Sequence, residues 1–305
     1  MPRFIYLLAF LINSELATGQ DKTYEFTTSD GVHLYLRTAG KGNPCLFVHG
    51  GPGNTSHYFE PLPAAKLLES KMQMVYYDQR GSGRSSSAKD SNYSIARMEK
   101  DIEEIRIFLK IKTWVVMGHS FGGYIITAYA RDYPENVRSL IYVHCTMDFT
   151  SAFNSHIKNG TELLREIGIS YRNDTTVSKL DQIMNVHKEL EKQGIEYKIM
   201  FRSQAEKNID DSLISTATPH FNQDFSKYVW SKKDSNYWMD YSVFTRDINC
   251  PVLVIAGKKD FAVGPDSYKS WKFKNMKLLL YEGAHVSFQE EPLWFIDGVF
   301  QFLQK

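Results

Sequence analysis

The chain has few cysteines and no surplus of either charge. Its three cysteines lie far apart without a CxxC spacing, so by themselves they form neither a disulfide framework nor a zinc site. Each lies in or beside an apolar run, which indicates buried free thiols at Cys45, Cys145 and Cys250. Lys and Arg together number 36 against 35 for Asp and Glu, and the net charge of +1 lacks the basic surplus typical of nucleic-acid binding.

Long hydrophobic runs are also missing, and no segment is apolar for long enough to form a stable membrane span. The N-terminus instead combines Arg3, a short apolar stretch over 4–12 and small residues at 17–19. This is the arrangement of a secretory signal peptide over 1–19. The alternative is an apolar N-terminus on a cytosolic protein. If the segment is cleaved we expect an exported protein, periplasmic or secreted, and otherwise a cytoplasmic one.

Metal and nucleotide motifs are absent as well. The chain has no H-E-x-x-H, and no cluster of His, Cys and Asp has the spacing of metal ligands. The glycine-rich run 78–85 lacks the G-x-x-x-x-G-K-[ST] pattern of a phosphate-binding loop. We therefore expect no metal and no cofactor, and we interpret Asp78 and Arg80 as a structural ion pair.

Short apolar runs that alternate with helix-period segments predict an α/β fold, with a mostly parallel sheet and flanking helices. Residues 24–36 alternate around Ser29-Asp30-Gly31, which predicts a hairpin. Ser94 is placed to cap a helix that begins at Ile95. Later runs have the composition of strands; they are 45–48, 74–77, 114–117, 140–143, 252–255 and 278–281.

This alternation stops in the middle of the chain. The stretch 147–246 is polar and contains helical patterns. The sequence therefore predicts a helical cap, inserted above the edge of the sheet where open α/β folds bind ligands. The predicted core then consists of residues 20–146 and 247–305.

The motif Gly-His-Ser-Phe-Gly at 118–122 lies between a predicted strand and a predicted helix. A G-x-S-x-G sequence in that position is typical of a nucleophile elbow, a turn so sharp that side chains at its two glycines would crowd it. We interpret Ser120 as a catalytic nucleophile.

A serine hydroxyl needs a base to take its proton, and the base needs an orienting acid. Asp260 closely follows the apolar run 252–255, and His285 follows the run 278–281, so the chain order is Ser, Asp, His. Asp266 and Asp148 are weaker alternatives, because neither comes immediately after a predicted strand. The sequence predicts a catalytic triad of Ser120, Asp260 and His285.

The loop His-Gly-Gly-Pro-Gly at 49–53 follows the strand predicted over 45–48. Its glycines allow a tight turn that can direct an amide toward Ser120. We expect the oxyanion hole to consist of the amides of Gly51 and Phe121.

Three motifs together resemble the α/β-hydrolase superfamily, and more narrowly its proline iminopeptidase branch. They are the loop at 49–53, the run Asp-Gln-Arg-Gly-Ser-Gly-Arg-Ser at 78–85 and the elbow extended to 118–123. The resemblance covers about 24–146 and 247–305, and it implies the same triad and a helical cap. The elbow alone is shared with many esterases and lactonases.

The predicted cap departs from this branch. Iminopeptidases are expected to hold the substrate's amino terminus with cap glutamates, but the corresponding segment here, Asn-Tyr-Trp-Met-Asp at 236–240, contains no Glu. Other cap glutamates are candidates for that role, and they are Glu189, Glu191, Glu196 and Glu206. A buried ammonium without a carboxylate would be unfavourable.

These observations predict an exported serine hydrolase that forms an acyl-enzyme. The preferred substrate is a short peptide or amide with an N-terminal proline or another small apolar residue. The alternatives are an esterase or lactonase acting on a small apolar ester, and a hydrolase-fold binding protein with low turnover. Haloalkane dehalogenases and epoxide hydrolases are disfavoured, since those branches have Asp at the position of Ser120.

Overall fold

The computed structural model describes residues 21–231 and 235–304, and the predicted signal peptide lies outside this part of the chain. The described residues form one sheet of eight strands. The strands are β1 (Lys22–Thr27), β2 (His33–Ala39), β3 (Asn43–Val48), β4 (Met72–Tyr77), β5 (Trp114–His119), β6 (Val137–Val143), β7 (Val252–Gly257) and β8 (Met276–Tyr281). Their spatial order is β1-β2-β4-β3-β5-β6-β7-β8.

The sheet begins with antiparallel pairing and then becomes parallel. β1 and β2 pair antiparallel, as the alternation over 24–36 predicts, and β2 pairs antiparallel with β4. All later neighbours, from β4 and β3 through β7 and β8, are parallel. The mostly parallel α/β architecture predicted from the sequence is confirmed.

Helices pack on both faces of the sheet, so the central strands are buried on both sides. Leu46 and Phe47 are neighbours on β3, yet they belong to two different hydrophobic clusters. The sequence of a strand with apolar contacts on both faces is a continuous apolar run and does not alternate between apolar and polar residues. The helices are α1 (Pro63–Glu69), α2 (Ile95–Phe108), α3 (Gly122–Asp132), α4 (Phe149–Glu166), α5 (Lys179–Lys192), α6 (Gln204–Thr216), α7 (Asp224–Trp230), α8 (Ser287–Glu290) and α9 (Pro292–Leu303).

Helix α2 begins where the sequence places it, because Ser94 accepts a hydrogen bond from the Arg97 amide. Helices α4 to α7 lie between β6 and β7 in the chain, within the stretch 147–246 that we predict to be a cap. Over 21–231 and 235–304, none of the helices has both the length and the hydropathy that a bilayer crossing requires.

The three cysteines are free thiols, as their positions indicate. Cys45 and Cys145 are buried, whereas Cys250 is partly exposed. Cys250 differs because it lies in the turn before β7 rather than inside the sheet. Burial raises the pKa of the Cys250 thiol to about 11, so this thiol is protonated at neutral pH.

The predicted ion pair between Asp78 and Arg80 is wrong, because the two residues belong to separate networks. Asp78 binds Arg84, whose Nε lies 2.8 Å from Oδ2. Arg80 turns the other way, with its Nε 2.6 Å from Asp101 and its Nη1 2.9 Å from Asp30. The guanidinium of Arg80 thereby links the hairpin turn between β1 and β2 to helix α2.

We expect Arg80→Met to destabilise the fold by about 3–5 kcal/mol, because it leaves the buried carboxylate of Asp101 without its main cation. The measurement is urea unfolding followed by circular dichroism. Lys269→Met is the matched control, since Lys269 pairs with Asp266 on the surface and both side chains are more than 60% exposed. The control should leave the midpoint nearly unchanged, and equal midpoints for the two variants would contradict the structural role of Arg80.

Candidate active site

Ser120 lies in the turn between β5 and α3, with a backbone φ of +52°. That left-handed conformation is strained in a residue other than glycine. A Cβ on Gly122 would lie 2.4 Å from the carbonyl oxygen of Val48, so the elbow packs too closely against the end of β3 for any side chain there. The crowding at this glycine is what the elbow motif predicts.

The two amides expected to form an oxyanion hole are those of Gly51 and Phe121. In the part of the chain that the structure describes, neither amide donates a hydrogen bond to another protein group. The preceding amide, that of Gly50, is already occupied because it donates to the Tyr58 hydroxyl at 2.9 Å. Gly51 lines the same two cavities as Ser120. Its amide is therefore available to a substrate oxygen.

Asp260 and His285 contact each other, with Oδ2 of the carboxylate 2.9 Å from Nδ1 of the imidazole, and His285 lines the same two cavities as Ser120. Both side chains are only 1% exposed. Burial by itself would raise the pKa of Asp260, but the imidazoles of His285 and His144 outweigh burial and hold that pKa well below its usual value. Asp260 is therefore charged, and it can orient the imidazole of His285.

The alternative acids are placed elsewhere. Asp266 is largely exposed and pairs with Lys269 at 2.9 Å. Asp148 caps helix α4, where its carboxylate accepts from the amides of Thr150 and Ser151. Neither is hydrogen-bonded to His285.

His119, the second residue of the elbow motif, braces the loop that carries His285. Its Nδ1 lies 2.7 Å from the Tyr58 hydroxyl, and its Nε2 lies 3.1 Å from the carbonyl oxygen of His285. Burial lowers the pKa of His119 well below its usual value, so the ring is neutral. Because the Tyr58 hydroxyl accepts from Gly50, it donates to Nδ1, and the ring proton is then on Nε2, facing the carbonyl oxygen of His285.

Two cavities meet at Ser120 and His285. The larger has a volume of about 320 Å³, and its wall is mainly apolar. It is lined by residues that include Phe149, Phe153, Leu180, Ile183, Met184 and Trp230 from the segment between β6 and β7. The smaller, about 180 Å³, is more polar and contains Asn54 and Asp210. A wider groove of about 570 Å³ lies at the opposite ends of the strands, near Arg138 and Lys274, and contains none of the predicted site residues.

The glutamates considered for amine binding do not line either cavity. Glu189 binds Gln193, and Glu191 is exposed on the surface. Glu206 accepts from the side chain of Gln289 at 2.6 Å.

Glu196 lies closer to the larger cavity, but its carboxylate is 3.1 Å from Nδ1 of His187. The Nε2 of His187 in turn lies 2.8 Å from Nδ1 of His156. His156 and His187 line the cavity, so imidazoles separate Glu196 from a substrate.

Sequence reasoning missed Asp210 and His144. Asp210 lies on helix α6, and among the described residues that line the two cavities it supplies the carboxylate. Burial, together with the neighbouring charge of Asp211, raises the pKa of Asp210 to about 6. No sequence pattern marks it, because Asp210 is one of several acidic residues on α6 and does not follow a strand. His144 directly follows β6, and the position after a strand, the signal that identified Asp260, could have found it.

Comparison with known proteins agrees with this architecture. A family model described as alpha/beta hydrolase fold matches residues 43–292. The chain is 35% identical over 125 residues to a probable proline iminopeptidase of Streptomyces coelicolor, a match that covers 37% of this chain and 36% of that protein. It is 23% identical over 273 residues to a proline iminopeptidase of Heyndrickxia coagulans, with 87% of this chain and 91% of that protein covered.

Solved structures show the same fold. A proline iminopeptidase-related protein from Thermus thermophilus has a TM-score of 0.73 at 17% identity, over 93% of this chain and 98% of that one. An esterase from Exiguobacterium antarcticum has a TM-score of 0.66 at 17% identity, over 94% of this chain and 100% of that one.

The chain matches the first curated relatives over only about a third of their length, 36% and 37%. Since the family model spans most of the chain and the sheet has the expected architecture, the protein belongs to the α/β-hydrolase fold family.

Proposed function

We propose that the protein is a serine hydrolase in which Ser120, His285 and Asp260 act as a catalytic triad. The observation that carries this proposal is the 2.9 Å contact between Asp260 and Nδ1 of His285, together with the two cavities that Ser120 and His285 both line. A carboxylate can only accept, so the imidazole proton is on Nδ1 and Nε2 is left unprotonated. Nε2 is then able to take the proton of the Ser120 hydroxyl.

In the proposed mechanism Ser120 Oγ attacks the substrate carbonyl while His285 takes its proton. The negative oxygen of the tetrahedral intermediate accepts hydrogen bonds from the amides of Gly51 and Phe121. His285 then gives the proton to the leaving group, which departs and leaves an acyl-Ser120. A water molecule, deprotonated by the same imidazole, attacks the acyl group, and collapse of the second intermediate returns the proton to Ser120.

The favoured substrate is a short peptide or amide, from which the enzyme releases an N-terminal proline or small apolar residue. Two features support this choice besides the curated relatives named proline iminopeptidases. The apolar cavity can hold a small apolar side chain, and Asp210 provides a negative charge in the adjoining cavity for the substrate's ammonium. Export through the segment 1–19 is part of the same proposal.

A second candidate is an esterase or lactonase for small apolar esters. The specific observation in its favour is the larger cavity, whose wall of aromatic and aliphatic side chains includes no carboxylate among the described residues. An ester has no ammonium to neutralise, so it would bind there without any contribution from Asp210.

We expect Ser120→Ala to lower turnover of either substrate class by about 10⁴-fold or more, because it removes the nucleophile. The variant should also lose labelling by a fluorophosphonate probe. Ser212→Ala, which changes an exposed serine on α6, is the control and should label like the parent protein. A folded parent protein that is not labelled would contradict the hydrolase proposal and favour a binding protein.

Asp210→Asn tests the substrate class. If Asp210 binds the ammonium, the variant should lose about 30-fold in kcat/KM for a prolyl arylamide, because a hydrogen bond to a charged group contributes about 2 kcal/mol. Turnover of a butyryl ester should be nearly unchanged. Asp211→Asn is the matched control, since Asp211 is exposed and pairs with Lys207; both variants are compared at pH 8, where Asp210 is charged with or without the neighbouring charge of Asp211.

The same proposal predicts a pH dependence. Because the pKa of Asp210 is raised to about 6, its charge is present above that pH and lost as the pH falls through it. The ratio of amide to ester turnover should therefore fall below about pH 6 in the parent protein and stay constant in Asp210→Asn. Strong ester turnover without amide turnover would reject the peptidase and leave the esterase.

A further inference from the structure

A second histidine lies against the predicted catalytic acid. His144 is the first residue after β6, and its amide donates to the carbonyl oxygen of Ile255 on β7 at 2.8 Å. Since β6 and β7 are parallel neighbours, their carboxyl ends meet at the same edge of the sheet. The side chain of His144 is fully buried, and its Nδ1 lies 3.3 Å from Asp260 Oδ2.

The hydrogen-bond partners of His144 determine where its proton lies. The amide of Ser287, which can only donate, is 3.3 Å from Nε2 of His144, and the Ser287 hydroxyl is 2.8 Å from the same atom. Burial lowers the pKa of His144, so the ring is neutral and carries one proton. Because Nε2 accepts, that proton is on Nδ1, the atom that faces Asp260.

The contact between His144 and Asp260 is looser than an ordinary hydrogen bond. Nδ1 of His144 has no regular hydrogen-bond acceptor among the described residues, and Oδ2 of Asp260 is the acidic oxygen close to it. The same Oδ2 is 2.9 Å from Nδ1 of His285. Two imidazoles thus share one carboxylate oxygen, and the shorter contact is to His285.

We propose that His144 is a positioning residue, whose neutral imidazole holds its Nδ1–H beside Asp260 Oδ2, restrains the carboxylate and withdraws part of its negative charge from His285. This inference rests on the proposed triad. His144 does not line either cavity among the described residues, so it acts through Asp260 and not on the substrate.

The consequence is a change in how strongly His285 binds a proton. The carboxylate charge that interacts with His144 is less available to His285. Without the donor at position 144, His285 should bind its proton more tightly and be inactive as a base up to a higher pH. Three other titratable groups face His144, and they are the same in the parent protein and in a variant at position 144. They are His119 from β5, Tyr281 from β8 and Glu290 from α8.

Two variants test the roles of the two ring nitrogens of His144 separately. His144→Asn keeps a donor near the position of Nδ1, and asparagine tolerates the backbone φ of +48° found here. His144→Gln places its amide near the position of Nε2 and keeps the contact with Ser287 instead. The measurement is the pH profile of kcat/KM on a butyryl ester, whose turnover should not depend on the charge of Asp210, with thermal unfolding of each variant in parallel.

We expect the acid limb of kcat/KM in His144→Gln to move up by about half a pH unit or more, because the lost donor had weakened the charge on Asp260. His144→Asn should keep the parent profile. Acid limbs that coincide in all three proteins, even with reduced activity or stability, would show that His144 only fills space and would overturn the inference.

A measurement on the parent protein covers the case of variants that do not fold. Nitrogen-15 NMR of the histidine rings reports which ring nitrogen carries the proton, and the inference requires the Nδ1–H form for His144. An Nε2–H form would overturn it. Fluorophosphonate labelling of the parent protein keeps the two proposals apart: labelling with an Nε2–H ring rejects only the role of His144, whereas absent labelling rejects the triad on which that role rests.

Discussion

Parallel pairing at one edge of the sheet is the constraint on which the rest of the site depends. The register joins His119 of β5 to Val143 of β6, and Val143 to Ile255 of β7, so these strands end nearly level. The loops that follow these three strands therefore all begin at the same edge of the sheet. Residues that are far apart in sequence are brought together there because the pairing of the interior strands is continuous at this edge; the register shift between β5 and β6 lies at the opposite end, between Trp114 and Val115.

Burial makes the charge of Asp260 depend on the imidazoles next to it at this edge of the sheet. Asp260 is 1% exposed and keeps its charge because imidazoles of His285 and His144 surround its oxygen. The neutral ring of His144 can offer an N–H group without adding a positive charge, which in the proposed mechanism leaves Asp260 free to stabilise an imidazolium at His285. The Tyr58–His119 pair contacts the backbone carbonyl of His285, so buried hydrogen bonds set the position of His285 from both its backbone and its side chain.

The segment between β6 and β7 contributes most of the apolar wall around Ser120, together with the carboxylate of Asp210. In the proposed function the elbow supplies the nucleophile, whereas this segment supplies most of the surface that would contact the substrate. Its helices are amphipathic to different degrees. α4 buries several apolar side chains, but none of the residues of α6 is buried. Asp210 is half-buried, and both its place in the smaller cavity and the charge of Asp211 on the same helix shape its environment.

The sequence alone determined the order of strands and helices, the elbow around Ser120 and the positions of Asp260 and His285 after strands. These features are local. A buried strand, a crowded turn and a residue just beyond a strand each produce a recognisable pattern within a few consecutive residues. Tertiary structure alone decided that Asp78 binds Arg84, that Arg80 reaches Asp101, that His144 faces Asp260 and that Asp210 lines the same cavity as Ser120. Those pairings join residues from different elements, and the direction of each side chain follows from packing that no sequence window contains.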